Sequence, residues 1–96
     1  MAMQKLNDRK IASELTKLKG WSLKSGKLHR TFTCRDFSHA FSHMTAVALA
    51  AESMNHHPEW SNVWNKVTVD LTTDTLGGLS KLDFELAGKI QEIFHS

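Results

Sequence analysis

In this chain of 96 residues, the side chains best suited to proton chemistry stand close together. The run Asn55-His56-His57-Pro58 holds the only adjacent pair of histidines, with Glu52 four positions before His56 and Asp83 further on. Imidazole titrates near about 6.5, so it both gives and takes protons at neutral pH. Two imidazoles with carboxylates nearby in sequence therefore suggest general acid–base chemistry. The spacing leaves other readings open. Consecutive residues of an extended chain point opposite ways, so both rings enter one pocket only if the local chain turns. Otherwise one histidine is functional and the other structural, or both lie on the surface.

The other candidates are weaker. His39 and His43 stand four apart on one helix face, a spacing that can hold a metal. No cysteine or carboxylate occupies a convincing third position and structural zinc takes four ligands, so they read as solvated. His29 and His95 read as exposed. Asp83 has an ordinary reading as the capping-box partner of Ser80, and Glu52 as an exposed helix carboxylate. Trp60 and Trp64 fall on one face of a strand and read as core, or one of them as the wall of a pocket for a flat heterocycle. Thr72, Thr73 and Asp74 end a strand and are equally explained as turn residues. Gly77-Gly78 is too short to argue phosphate binding.

Several elements must position these residues. Asn7 or Asp8 caps a first helix over 7–18, with Ile11, Leu15 and Leu18 at helical spacing. Trp21–Ser25 and Lys27–Thr33 read as two strands about a Ser25-Gly26 turn, the second interrupted by Arg30. A second helix runs from about Arg35 to Met54. Thr33 and Asp36 have capping-box spacing, and Phe37, Phe41, Met44, Ala48 and Ala51 mark an apolar face that Ala40, Val47 and Met54 widen. A helix this apolar buries more than one side, and a subunit interface is the simplest second one. Pro58 breaks that run. Trp60–Trp64 is a third strand, Asn65-Lys66 a turn, and Val67, Val69 and Leu71 alternate along a fourth strand with one wet face. Ser80 and Asp83 cap a last helix with Leu82, Leu86, Ile90 and Ile93 as its stripe. The order α-β-β-α-β-β-α predicts an α+β domain, with a four-stranded antiparallel sheet and three helices packed on one face.

Composition bounds the class. The length gives one domain over residues 1–96. Hydrophobic residues make up 41% and charged residues 23%, an ordinary globular mix. No apolar run approaches the roughly 20 residues of a membrane span, and no signal-peptide core opens the chain. Cys34 is the single cysteine, which fits a reducing, cytoplasmic setting. The net charge is +2 with histidines neutral. The basic residues are scattered, so direct nucleic-acid binding is not expected.

Glu52-x-x-x-His56-His57-Pro58, the aromatic at Trp64, Thr73 ten residues before Asp83, and the segments NVWNKV and GGLSKLD together resemble the pterin-4a-carbinolamine dehydratase family. The resemblance is close over the central and C-terminal two thirds. The N-terminal third agrees in length and element order. It implies the fold read above, assembly as a homodimer or homotetramer, and removal of water from 4a-hydroxytetrahydropterin, the product of aromatic amino acid hydroxylases. The product would be quinonoid dihydropterin, within tetrahydrobiopterin recycling, formed without metal or cofactor. The resemblance further implies catalytic histidines at His56 and His57, acidic site positions at Glu52 and Asp83, and pterin-pocket positions at Asn55, Thr72 and Thr73. One residue departs from the pattern: Asp74 stands where the family usually has a third catalytic histidine. An ionised aspartate raises the pKa of a neighbouring histidine and accepts protons, but donates one only if its own pKa is raised. The family also serves, in animals, as a dimerisation cofactor of a homeodomain transcription factor. A weakly catalytic or non-catalytic binding module is therefore the alternative.

Overall fold

A computed structural model describes residues 3–95 of the chain. The elements are α1 (Asp8–Leu15), β1 (Ser22–Lys24), β2 (Lys27–Thr33), α2 (Phe37–Met54), β3 (Glu59–Val63), β4 (Lys66–Leu71), a short 3-10 turn (Asp74–Leu76) and α3 (Lys81–Phe94). This is the expected α-β-β-α-β-β-α order. The strands form one antiparallel sheet in the order β1-β2-β4-β3.

Alternation in β2 and β4 builds the core. Leu28 pairs with Leu71 and Phe32 with Val67, which places their side chains on one face. These four and Val69 are all buried. Helix α2 packs on β4 and on α3, and α3 reaches β2. From α3 come Phe84, Leu86, Ala87 and Ile90, all buried. Ile11 and Leu15 of α1 are half-buried against the same cluster. Arg30, which interrupts the alternation, stays on the core side by folding over the Phe32 ring, 4.4 Å from its centroid. Its Nη1 donates to the Lys19 carbonyl at 2.8 Å and to Gln91 Oε1 at 3.1 Å, and its burial pushes the guanidinium pKa down. Gly20 has a left-handed φ of 87°, which favours glycine, and a Cβ there would also meet that guanidinium at 2.8 Å.

The other sheet face is polar. His29, Asp70 and Glu59 stand in register across three strands. His29 Nδ1 and Asp70 Oδ1 are 2.8 Å apart, so His29 is half-buried and paired rather than exposed. Lys27 Nζ donates to Glu59 Oε1 at 2.6 Å, and that carboxylate raises the lysine pKa.

Several boundaries and faces differ from expectation. Asn7 caps α1, its side chain accepting from Lys10 N–H, but the helix stops at Leu15. Asp36 is itself the N-cap of α2, accepting from His39 N–H at 2.7 Å, so Thr33 and Asp36 form no capping box. The buried positions of α2 are Ala40, Val47 and Ala51, while Phe37 and Phe41 are exposed. Trp64 is not core. The β3–β4 turn falls at Trp64-Asn65, where Trp64 takes a left-handed φ of 51° and is 66% exposed. The turn is held by Cys34 N–H donating to the Asn65 carbonyl at 2.7 Å and Asn65 Nδ2 to the Cys34 carbonyl at 2.9 Å. The rings of His39 and His43, expected in solvent, meet edge-on at 4.2 Å, and His43 also faces Phe94. Among the described residues no group of three or more His, Cys, Asp or Glu is arranged for a metal ion.

Candidate active site

The site forms where α2 ends. Asn55 adopts the left-handed conformation (φ 52°, ψ 41°). Asn55 N–H donates to the Glu52 carbonyl at 3.0 Å and His56 N–H to the Ala51 carbonyl at 3.1 Å. These paired bonds are the Schellman arrangement, and asparagine is one of the few non-glycine residues that tolerates it. The chain therefore turns one residue before the histidine pair, and both His56 and His57 reach one cavity.

The facing wall comes from the exit of β4. Thr73 N–H donates to the Gly78 carbonyl at 2.9 Å, and the 3-10 turn between them closes through Gly77 N–H to the Asp74 carbonyl at 3.0 Å. The N-terminal segment is pinned alongside by Leu6 N–H to the Leu79 carbonyl at 2.8 Å. The resulting cavity has a volume of about 350 Å³ and is lined by Met3, Asn55, His56, His57, Thr72, Thr73, Asp74, Thr75 and Leu82. That lies within the usual range for small-molecule sites, roughly 300–1,000 Å³.

Two carboxylates back the histidines from outside the cavity lining. Asp83 is fully buried, and its Oδ1 lies 2.6 Å from His56 Nε2. Its Oδ2 accepts Thr73 Oγ1 at 2.7 Å and Ser80 N–H at 2.9 Å. Thr73 Oγ1 and Ser80 Oγ are also 2.7 Å apart. The Ser80–Asp83 capping box is present as expected, but Asp83 at the same time grips His56. Glu52 sits at the surface, its Oε1 2.8 Å from His57 Nε2, with side-chain exposures of 57% for the histidine and 78% for the glutamate.

Of the residues singled out in the sequence, Asn55, His56, His57, Thr72, Thr73 and Asp74 thus line one cavity. Glu52 and Asp83 act on the histidines instead. Met3, Thr75 and Leu82 were not foreseen. Ser80 was read only as a cap, although its spacing to Asp83 links it to any role of that carboxylate.

Comparison with known proteins agrees with this architecture. The family model described as pterin 4 alpha carbinolamine dehydratase matches residues 4–93. A protein of Solibacter usitatus named "Putative pterin-4-alpha-carbinolamine dehydratase" is 49% identical over 89 residues, covering 93% of this chain and 94% of its own. A Synechococcus protein of the same name is 53% identical over 73 residues, covering 76% and 78%. A crystal structure described as a transcriptional coactivator/pterin dehydratase from Brucella melitensis superimposes with a TM-score of 0.90 at 38% identity, covering 94% of this chain and 98% of that one. The chain belongs to the pterin-4a-carbinolamine dehydratase family.

Proposed function

We propose that the chain removes water from 4a-hydroxytetrahydropterin to give quinonoid dihydropterin, by histidine acid–base catalysis. The observation that supports this is the pair of carboxylate-backed imidazoles on one cavity wall. The substrate's hydroxyl sits on a carbon beside a ring nitrogen whose lone pair expels it. Breaking the C–O bond requires one proton for the departing hydroxyl and removal of one from the nitrogen, so no net proton is consumed. His57, the more accessible ring, is the main acid–base residue and protonates the hydroxyl. His56 is the helper that receives the nitrogen's proton and relays it. Asp74, in place of a third imidazole, accepts a hydrogen bond or proton from the pterin but is a poor donor. Asn55 and Thr72 line the ring.

A dehydration assay on chemically generated 4a-hydroxytetrahydropterin tests this. The parent chain should accelerate the reaction. His57→Ala should lose about 10²- to 10⁴-fold, the usual contribution of a positioned acid or base. Asp74→His should gain rate. A folded parent that does no better than buffer sinks the proposal.

One observation favours a second reading. Phe37, Phe41 and Leu49 of α2 are all more than half exposed, an apolar surface suited to association. We propose that copies of the chain associate through it as a homo-oligomer. A non-catalytic module would use the same fold to hold a protein partner, and it would show a stable complex without dehydration.

A further inference from the structure

Behind His56 stands a row of buried groups whose hydrogens can be assigned one by one. Asp83 offers only acceptors as a carboxylate, so the single hydroxyl hydrogen of Thr73 goes to Asp83 Oδ2. The 2.7 Å contact between Thr73 Oγ1 and Ser80 Oγ is then donated by Ser80. Ser80 Oγ in turn accepts Leu82 N–H at 3.3 Å. On the other carboxylate oxygen, His56 Nε2 at 2.6 Å must be the donor. The sequence of donors therefore runs from Ser80 to Thr73 to Asp83, met from the far side by His56 Nε2–H. In the neutral ring Nδ1 is then the lone pair.

A helix cap alone does not explain this. Ser80 and Asp83 satisfy each other as N-cap and N3, and neither the Thr73 hydroxyl nor His56 is needed for it. Yet Thr73 is buried, its hydrogen is committed to Asp83 and its oxygen accepts from Ser80. Little of that hydroxyl remains for a ligand, although the family resemblance places Thr73 among pocket residues.

We propose that Thr73 and Ser80 are positioning residues, acting through Asp83 to hold His56 in its Nε2–H tautomer with Nδ1 presented to the pterin. This rests on the dehydratase reading above. It reassigns Thr73 from substrate contact to orientation of the histidine, and it gives Ser80 a role beyond capping α3.

The test uses the full chain with Thr73→Val, Thr73→Ser and Ser80→Ala, and two independent readouts. Nitrogen-15 NMR of the His56 ring reports the tautomer without any turnover. Steady-state dehydration separates kcat from KM. The parent should show the Nε2–H form. Thr73→Val should mix the tautomers, lower kcat roughly tenfold or more on the scale of outer partners that orient a histidine, and leave KM nearly unchanged. Thr73→Ser should restore both readouts, and Ser80→Ala should follow Thr73→Val in direction. A Thr73→Val chain with raised KM, unchanged kcat and an unchanged His56 tautomer overturns the proposal in favour of direct substrate contact. A parent without dehydration overturns the dehydratase reading and the catalytic part with it. An unaltered tautomer in Thr73→Val overturns the network by itself.

Discussion

Adjacent in sequence, His56 and His57 end in unlike surroundings. His56 faces a buried carboxylate held by two further donors, whereas the His57–Glu52 pair lies in solvent. Exposed pairs contribute little, typically about 0–1 kcal/mol, so Glu52→Gln should change dehydration by no more than about fivefold. Asp83→Asn offers an amide where His56 needs an acceptor, and the wrong tautomer follows. We expect kcat to fall by at least about 100-fold, read in the same assay at saturating substrate. Asp83→Ala strands several buried donors and should cost about 3 kcal/mol or more, measured by urea unfolding. At this scale the sequence was informative about which side chains matter and silent about what they touch. The residue types and spacings of Glu52, His56, His57 and Asp83 were visible. That the carboxylate of a capping box also grips a histidine 27 positions earlier was not, because the cap accounts for Ser80 and Asp83 without remainder. Met3 carried no signal at all, since a cavity-lining methionine looks like any other.

Helix ends set the site, and their chemistry was only partly readable. Pro58 pointed to a break after α2, but the turn that brings both imidazoles to one cavity is the left-handed Asn55. Asn55→Gly should keep the fold, so any loss of activity there reports contact between the amide and the pterin. Asn55→Val should cost about 1–2 kcal/mol from the disfavoured backbone, seen as a lower urea midpoint at unchanged slope. At the other end of α2, the His39 N–H bond to Asp36 holds that carboxyl below the usual aspartate range. A depressed folded-state pKa means that the cap's contribution is complete above the ordinary aspartate value and disappears as pH falls through the lowered one. Asp36→Asn should therefore unfold with a flatter acid limb than the parent in thermal scans from pH 7 to pH 2. The apolar side of α2 was legible, Ala40, Val47 and Ala51 included, but not which of its residues the core takes. Close packing against the sheet and α3 selects Ala40, Val47 and Ala51, and leaves Phe37 and Phe41 outside. Trp64 was misjudged because an alternating pattern does not announce where a strand ends, and β3 stops at Val63.

Across the whole molecule, the order of elements and the antiparallel pairing followed from alternation and turn residues. The strand order β1-β2-β4-β3 did not, because neighbour choice depends on long-range pairing. The cavity gathers residues from Met3 to Leu82, a convergence that local pattern does not encode. The exposed apolar side of α2 bears on assembly. If copies meet there, the double variant Phe41→Ser, Leu49→Ser should sediment as a smaller species than the parent while keeping its far-ultraviolet dichroism, since both side chains lie outside the core. The three tryptophans have a different use. Trp21 is buried with an indole N–H that meets no partner among the described residues, Trp60 is half-buried, and Trp64 rides the exposed hairpin tip. Intrinsic emission is therefore a sum of blue and red components with separate locations. Acrylamide should extinguish the red component first and leave Trp21 glowing, so one unlabelled sample reports on the hairpin tip and the core in a single titration.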